Sequence, residues 1–214
     1  MPKLIVHPLT ADRWPDFEAL FGPRGACRRC WCMTSRLPRN EYERDKGEGN
    51  RRAMKAIVER GEIPGILGFI DDSAVAWCAL GPREYFPWLA RSRIFQPVDE
   101  RPVWSIVCFF IDKDHRRQGL SVQMIEAACT FAAGQDARCI NAYPVEPKKD
   151  PMPPVFACNG LASAFLRSGF RAAECVPCSS RLLDRGVEVR DELPASGDLR
   201  QRAACGFRCP RPGS

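Results

Sequence analysis

Apolar and polar residues alternate in blocks along this 214-residue chain, and the blocks predict its elements. "KLIVHPL" reads as a short strand, and "TADRWPDFEALF" as a helix with Thr10 placed to cap it. "GPRGACRRCWCMTSRLP" keeps neither period and predicts a loop. A second helix lies within "NEYERDKGEGNRRAMKAIVERG", clearest over residues 50–60 and stopped by Gly61. The apolar runs "GILGFID" and "SAVAWCALG", joined by "DDS", predict an antiparallel hairpin.

Residues 82–102 form a long connection rich in arginine and aromatics, a length that usually serves a site. "VWSIVCFFID" is continuously apolar, as a strand buried on both faces must be. "LSVQMIEAACTFAAG" predicts a helix closed by Gly134, with Gln123, Glu126 and Thr130 along its polar stripe. "ARCINAYPV" is the next strand, so residues 103–145 make a β-α-β unit with a right-handed crossover. The proline-rich stretch 144–157 predicts a loop. "GLASAFLRSG" predicts a short helix with Leu161, Ala164 and Phe165 on one face, ending at Gly169. "FRAAECVP" and "SSRLLDRG" read as two last strands, and from Arg190 the chain turns polar. The expected organisation is one domain over 1–189 and a poorly ordered tail over 190–214.

Composition narrows the classes. Apolar residues make up 45% and charged residues 27%, which suits a globular domain. The formal charge of +6 comes without a long basic run interleaved with aromatics, so a nucleic-acid partner is not expected. The first residues lack the apolar stretch of a signal peptide, and no run approaches the ~20 residues of a spanning helix. The expectation is a soluble, cytoplasmic protein with no membrane partner. Twelve cysteines then read as thiols rather than disulfides. Cys27-x-x-Cys30-x-Cys32, Cys175-x-x-Cys178 and Cys205-x3-Cys209 invite a zinc reading. A closed site needs four ligands, however, and only His7 and His115 supplement the cysteines, so no metal is expected.

"HRRQGLS", residues 115–121, sits between the apolar strand and the amphipathic helix. The first turn of a helix presents amides without internal partners, and glycine permits close approach to the backbone. Two arginines complete a plausible anion cradle. In that context "FFIDKDHRRQGLSVQMIEAA" resembles the signature of the GNAT superfamily of acetyl-CoA-dependent N-acetyltransferases. That signature is Arg/Gln-x-x-Gly-x-Gly/Ala between a buried strand and a helix. Arg116 and Gly119 match it, and Ser121 stands where glycine or alanine is usual. "CNGLASAFLRSGF" resembles the family's Asn-x-x-Ala-x-x-Leu-Tyr-x-Lys-x-Gly-Phe helix, with Cys158 at the asparagine position and Phe165 at the tyrosine position. The resemblance spans roughly residues 3–188. "GACRRCWCM", "GPREYFPWLARSR" and "AYPVEP" also look like a bacterial GNAT subgroup with a Cys/Trp-rich N-terminal loop.

The resemblance implies an α/β (α+β mixed) fold, the GNAT acyl-CoA N-acyltransferase fold, with a central splayed mixed sheet flanked by helices. It implies acetyl-CoA as co-substrate and an amine-bearing small molecule or peptide as acceptor, attacking the thioester directly; a homodimer is compatible with it. Phe110 and Ile111 would offer backbone groups to the pantetheine and acetyl carbonyl. Arg116, Arg117, Gln118, Gly119, Leu120, Ser121 and Val122 would cradle the pyrophosphate, with Cys158 and Phe165 beside the cofactor. Phe165 cannot donate a proton, so Tyr143 becomes the first candidate acid, with Glu84 and Glu146 as candidate bases. Trp31, Arg36, Tyr85 and Trp88 fall in loops expected at the acceptor cleft. Two other readings stay open: a GNAT-fold module that binds acyl-CoA or regulates a partner with little transfer, and a zinc-stabilised interaction module.

Overall fold

Two adjacent left-handed residues, Asp71 (φ 47°) and Asp72 (φ 62°), turn the chain between β2 (Gly65–Ile70) and β3 (Ser73–Pro82). Positive φ at both central residues matches the right-handed twist of a hairpin, so the predicted pairing forms with a two-residue link. β1 (Ile5–Pro8) adds antiparallel to β2, and β4 (Trp104–Ile111) adds antiparallel to β3. β5 (Cys139–Ala142) then pairs parallel to β4, as the predicted crossover requires. With β6 (Arg171–Ala172) and β7 (Val189–Glu192) the sheet has seven strands in the order β1-β2-β3-β4-β5-β7-β6. This is the expected mixed α/β sheet.

The computed structural model describes residues 2–26, 29–92, 95–97, 100–146, 158–172 and 189–192. The predicted strand over 179–186, most of the proline-rich loop and residues 193–214 lie outside the described residues. Residues 190–192, read from their polarity as the start of the tail, belong instead to β7, antiparallel to β5. No helix among the described residues is long and apolar enough to cross a membrane, and none of their His, Cys, Asp and Glu side chains group in threes fit to hold a metal ion.

The period of two in β2 and β3 sorts their side chains into two cores. Ile66, Ala76, Cys78 and Leu80 face one side, under α5 (Leu120–Gly134) and α6 (Ala162–Arg167). Leu67, Phe69, Trp77 and Ala79 face the other, under α1 (Trp14–Phe21) and α3 (Glu48–Glu59). Each large apolar side chain so enclosed contributes about 1.5–3 kcal/mol. Trp77 is fully buried at the centre of the second core, with Phe17 4.8 Å and Phe21 6.2 Å away between ring centroids.

Several local expectations change. Thr10 precedes a short 3-10 turn, Ala11–Arg13, rather than α1, and its side chain caps no helix amide. The predicted second helix forms as α3, and a further short helix, α2 (Arg39–Arg44), precedes it, separated at Gly47 (φ 97°). Residues 87–91 of the long connection form a further short helix, α4 (Pro87–Arg91). α5 keeps its predicted bounds, but Gly134 is its last residue rather than its stop. The left-handed residue beyond it is Asp136, with φ 60°. In α6, Ala164 and Phe165 are buried as expected, whereas Leu161 caps the helix and stays exposed.

The start of β2 has no room for a side chain. A Cβ on Gly65 would lie 2.3 Å from the Cys78 carbonyl oxygen and 2.5 Å from the Trp77 ring. Neither neighbour can yield, since one is backbone and the other fills the core. Gly65→Ala is therefore expected to destabilise the protein by about 1–3 kcal/mol in denaturant titration. Unchanged stability would contradict the β2–β3 register.

Candidate active site

β4 and β5 pair over only three positions, Trp104–Ile140, Ser105–Asn141 and Ile106–Ala142. The middle pair is pinned by fully buried side chains, with the Ser105 hydroxyl donating to Asn141 Oδ1 at 2.6 Å. Directly beyond it the β3–β4 register slips, because Ala79 opposes Cys108 while Leu80 opposes Ile106, leaving Val107 as an extra residue. Such a bulge bends a strand and sharpens its twist. The two strands part there, and the remainder of β4 has β3 on one edge only.

Backbone direction along that free edge follows from one hydrogen bond. The Asp112 amide donates to the Val75 carbonyl at 2.8 Å. In an antiparallel pair, hydrogen-bonded positions alternate with positions whose backbone groups face away. Phe110, opposite Trp77, therefore spends its amide and carbonyl on β3, while Phe109 and Ile111 face the gap. The expectation for Phe110 is thus off by one residue, and the bulge is the reason. Its side chain packs into the second core, 5.5 Å from Phe21 between centroids. Phe109 donates its amide to the Cys158 carbonyl at 2.6 Å, and the Ile111 carbonyl accepts from Arg116 Nε at 3.0 Å. On the far side, Val145 donates to the Gly160 carbonyl and accepts from the Ala162 amide. Residues 158–162 thus bridge the diverging strands near the bulge.

At the end of β4, Asp112 accepts from the Asp114 amide at 3.0 Å and turns the chain. Burial raises the Asp112 carboxyl, but the Asp114 amide and the His115 ring outweigh it and hold it below the ordinary aspartate value. Gln118 Nε2 donates to the Asp114 carbonyl, so its side chain ties the turn rather than reaching outward. Arg117 (φ 60°) and Gly119 (φ 79°) are both left-handed. Arg117 bears that strain, while Gly119 adopts it freely and is exposed. The amides of residues 117–121 donate to no backbone carbonyl among the described residues, whereas Val122 donates to Gly119 at 3.1 Å. Five unspent amides at the N-terminus of a 15-residue helix form an anion cradle. Val122 does not share in it, and the buried Leu120 side chain leaves only its amide there. Ser121 is half-buried beside it.

The remaining site residues separate into groups. Tyr143 follows β5 and is 1% exposed; its hydroxyl accepts from the Arg83 guanidinium, which also donates to the Phe95 carbonyl. Neither Arg83 nor its clamp on Tyr143 is legible in any local motif. Glu84 and Glu146 are exposed, one beside Arg83 and the other three residues past Tyr143. Tyr85 (50%) and Trp88 (38%) are exposed on the same stretch as Arg83. Arg36 lies over the Phe86 ring at 4.7 Å and lines a cavity of about 390 Å³ with Tyr85 and Glu62. Trp31 does not join them. It is 5% exposed among Trp14, Phe17 and Phe21, and its free edge lines a different cavity beside α1 and α3. The Phe165 ring is fully buried, packed edge-on against Phe109 and Phe170.

Solved structures share this arrangement of elements. A GNAT-family acetyltransferase from Listeria monocytogenes superposes with a TM-score of 0.53 at 11% identity, covering 89% of this chain and 95% of its own. An N-acetyltransferase from Staphylococcus aureus gives 0.52 at 12% identity, with 90% and 99% covered. An uncharacterised protein from Bacillus halodurans gives 0.51 at 15% identity, with 95% and 89% covered. At such identities the likeness speaks for the fold. No curated protein matches the chain closely in sequence. The acetyltransferase (GNAT) family model matches residues 30–175, a stretch holding the bulged strand, the parted edge and the amide cradle. The chain therefore belongs to the acetyltransferase (GNAT) family.

Proposed function

We propose that the protein is an N-acetyltransferase that moves the acetyl group of acetyl-CoA to an amine of a small molecule or peptide. The observation that supports this most is the continuity of two backbone sites. The free edge of β4 ends at Ile111, and the turn behind it leads to the amides of residues 117–121. An extended pantetheine arm matches the edge, and its pyrophosphate matches the cradle. Acetyl-CoA supplies an activated thioester. Along the edge the Ile111 amide is a fixed donor of the kind that stabilises a developing oxyanion. Exposed Arg117 and half-buried Arg116 bring positive charge to the phosphates, with Arg116 Nε held by Ile111.

The attacking amine must be neutral, and Glu84 and Glu146, both exposed, are the candidate bases. The departing thiolate needs a proton as well. Phe165 offers none, so Tyr143 is the candidate acid and Arg83 the positioning residue that fixes its hydroxyl. Arg36, Tyr85 and Trp88 form the acceptor side of this reading. A binding module without efficient transfer remains the second reading, supported by the buried phenylalanine at position 165.

Acetyl-CoA at about a hundred times its dissociation constant should stabilise the protein by about 2.7 kcal/mol, read as a rise in melting temperature. Mass-spectrometric detection of acetylated product across an amine panel then tests transfer; binding without product selects the second reading. Gly119→Glu puts a side chain and a negative charge at a left-handed residue of the cradle, φ 79°. Its affinity for acetyl-CoA should fall by about a hundredfold, ~2.8 kcal/mol, with the fold retained. Normal affinity would remove the cradle. Tyr143→Phe should lower turnover by about a hundredfold with acetyl-CoA affinity unchanged, and undiminished turnover would exclude Tyr143 as the acid.

A further inference from the structure

Arg36 is held firmly in place with its charge unanswered. The Met33 carbonyl accepts from the amides of both Arg36 and Leu37 at 3.0 Å, which turns the loop back on itself ahead of α2. The Trp88 amide donates to the carbonyl of the buried Ser35 at 3.4 Å, so residues 83–91 sit against this turn. The side chain is fixed as well: Nη2 donates to the Pro64 carbonyl at 2.9 Å, and the guanidinium lies over the Phe86 ring. Its Nε is buried with no partner among the described residues. Glu62, the carboxylate that shares its cavity, is bound instead by Arg60 at 2.8 Å.

A guanidinium keeps its charge at any ordinary pH, and enclosing a charge is costly unless a counter-charge comes with it. The cavity that Arg36 lines, about 390 Å³, is the space open to that counter-charge. Its volume suits a small molecule rather than a macromolecule. Met33, Leu37, Ala56 and Ile57 give it apolar walls, and the exposed Tyr85 adds a hydroxyl. Two guanidinium groups and one carboxylate, those of Arg36, Arg60 and Glu62, leave the cavity with a single positive charge. One positive charge among apolar walls matches a carboxylate on an apolar body. A ligand bearing only cationic amines is repelled.

The turn that carries Phe86 also faces the parted strands. The Phe86 amide donates to the Arg83 carbonyl at 3.0 Å, and the Arg83 guanidinium donates to the Tyr143 hydroxyl just past the end of β5. We propose that the Arg36 cavity is a carboxylate subsite and that the acceptor is an amino acid with an apolar side chain. Its carboxylate pairs with the guanidinium fork, a charge-assisted contact, and its side chain lies against α3. Only the role of acceptor rests on the transferase reading above; binding of the carboxylate stands without it. In the transfer the amine nitrogen bonds to the acetyl carbon and the C–S bond breaks. The amine gives up one proton and the coenzyme thiolate takes one.

Calorimetric titration of the full chain with leucine, methionine and phenylalanine, each beside its amide, tests the subsite without any transfer. At least one free amino acid should bind about tenfold more tightly than its amide, and diaminopentane should not compete. Arg36→Gln should abolish that preference. Because it also releases Pro64, Ala56→Leu serves as the second variant: it fills the cavity from α3 with Arg36 in place and should weaken the free amino acids about tenfold. Equal affinity for acid and amide, tighter binding of the diamine, binding that survives both variants, or no binding of any amino acid at millimolar concentration would overturn the subsite. Product analysis with acetyl-CoA separates the two claims. Acetylation of the amino acids that bind supports both, and acetylation of other amines alone overturns the acceptor role. Binding with no amine acetylated overturns the transferase reading and leaves the subsite standing.

Discussion

A strand inside a sheet cannot leave its amides and carbonyls facing nothing, because each buried, unpaired polar group costs about 1–3 kcal/mol. β4 meets this constraint by two means. Over its first three positions it pairs with β5, secured by the buried Ser105–Asn141 contact. Past the bulge at Val107 it turns its free edge toward residues 158–162 and the Arg116 side chain, which satisfy the Phe109 amide and the Ile111 carbonyl. The five amides of the following turn donate to no backbone carbonyl among the described residues. On the proposed reading, the site is the consequence of one register slip in a central strand rather than a cavity carved between side chains.

The second core explains why the N-terminal loop stays in place beside that edge. A loop without regular hydrogen bonding needs other anchors, and this one inserts Trp31, Cys32 and Met33 among the aromatics around Trp77. The insertion requires left-handed backbone at Ala26, Arg29, Trp31 and Cys32. Arg36 continues from it, lying under the 83–91 stretch whose Arg83 clamps Tyr143. In the proposed function, loop, connection and the end of β5 would form the acceptor side, and the amide cradle the cofactor side.

The sequence made the β4–turn–α5 framework legible and left the loops around Arg36 and Arg83 obscure, for physical reasons. α5 keeps its predicted bounds because its apolar face repeats cleanly and glycine begins it. β4 is a continuous apolar run, which only a twice-buried strand tolerates. A bulge leaves no such mark, because it depends on which residue of β3 stands opposite; the sequence therefore points to Phe110 beside Ile111, where Phe109 and Ile111 face the gap. Trp31 reads as a loop aromatic, and burial within a loop has no period to betray it. Arg83 and Tyr143 lie 60 residues apart, so nothing local joins them. α2 precedes the span where the sequence marks a helix clearly, and α3 begins afresh beyond the left-handed Gly47.

The central claim is that one backbone path, the outer edge of β4 and the turn behind it, receives acetyl-CoA. Amide hydrogen exchange with and without saturating acetyl-CoA tests it directly, since exchange reports each amide's protection. The account predicts slowed exchange at Ile111 and across residues 117–121, with α3 and the hairpin of β2 and β3 unchanged. Protection confined to another face, such as the cavity lined by Arg24 and Arg51, or none at all once binding is saturated, would contradict it.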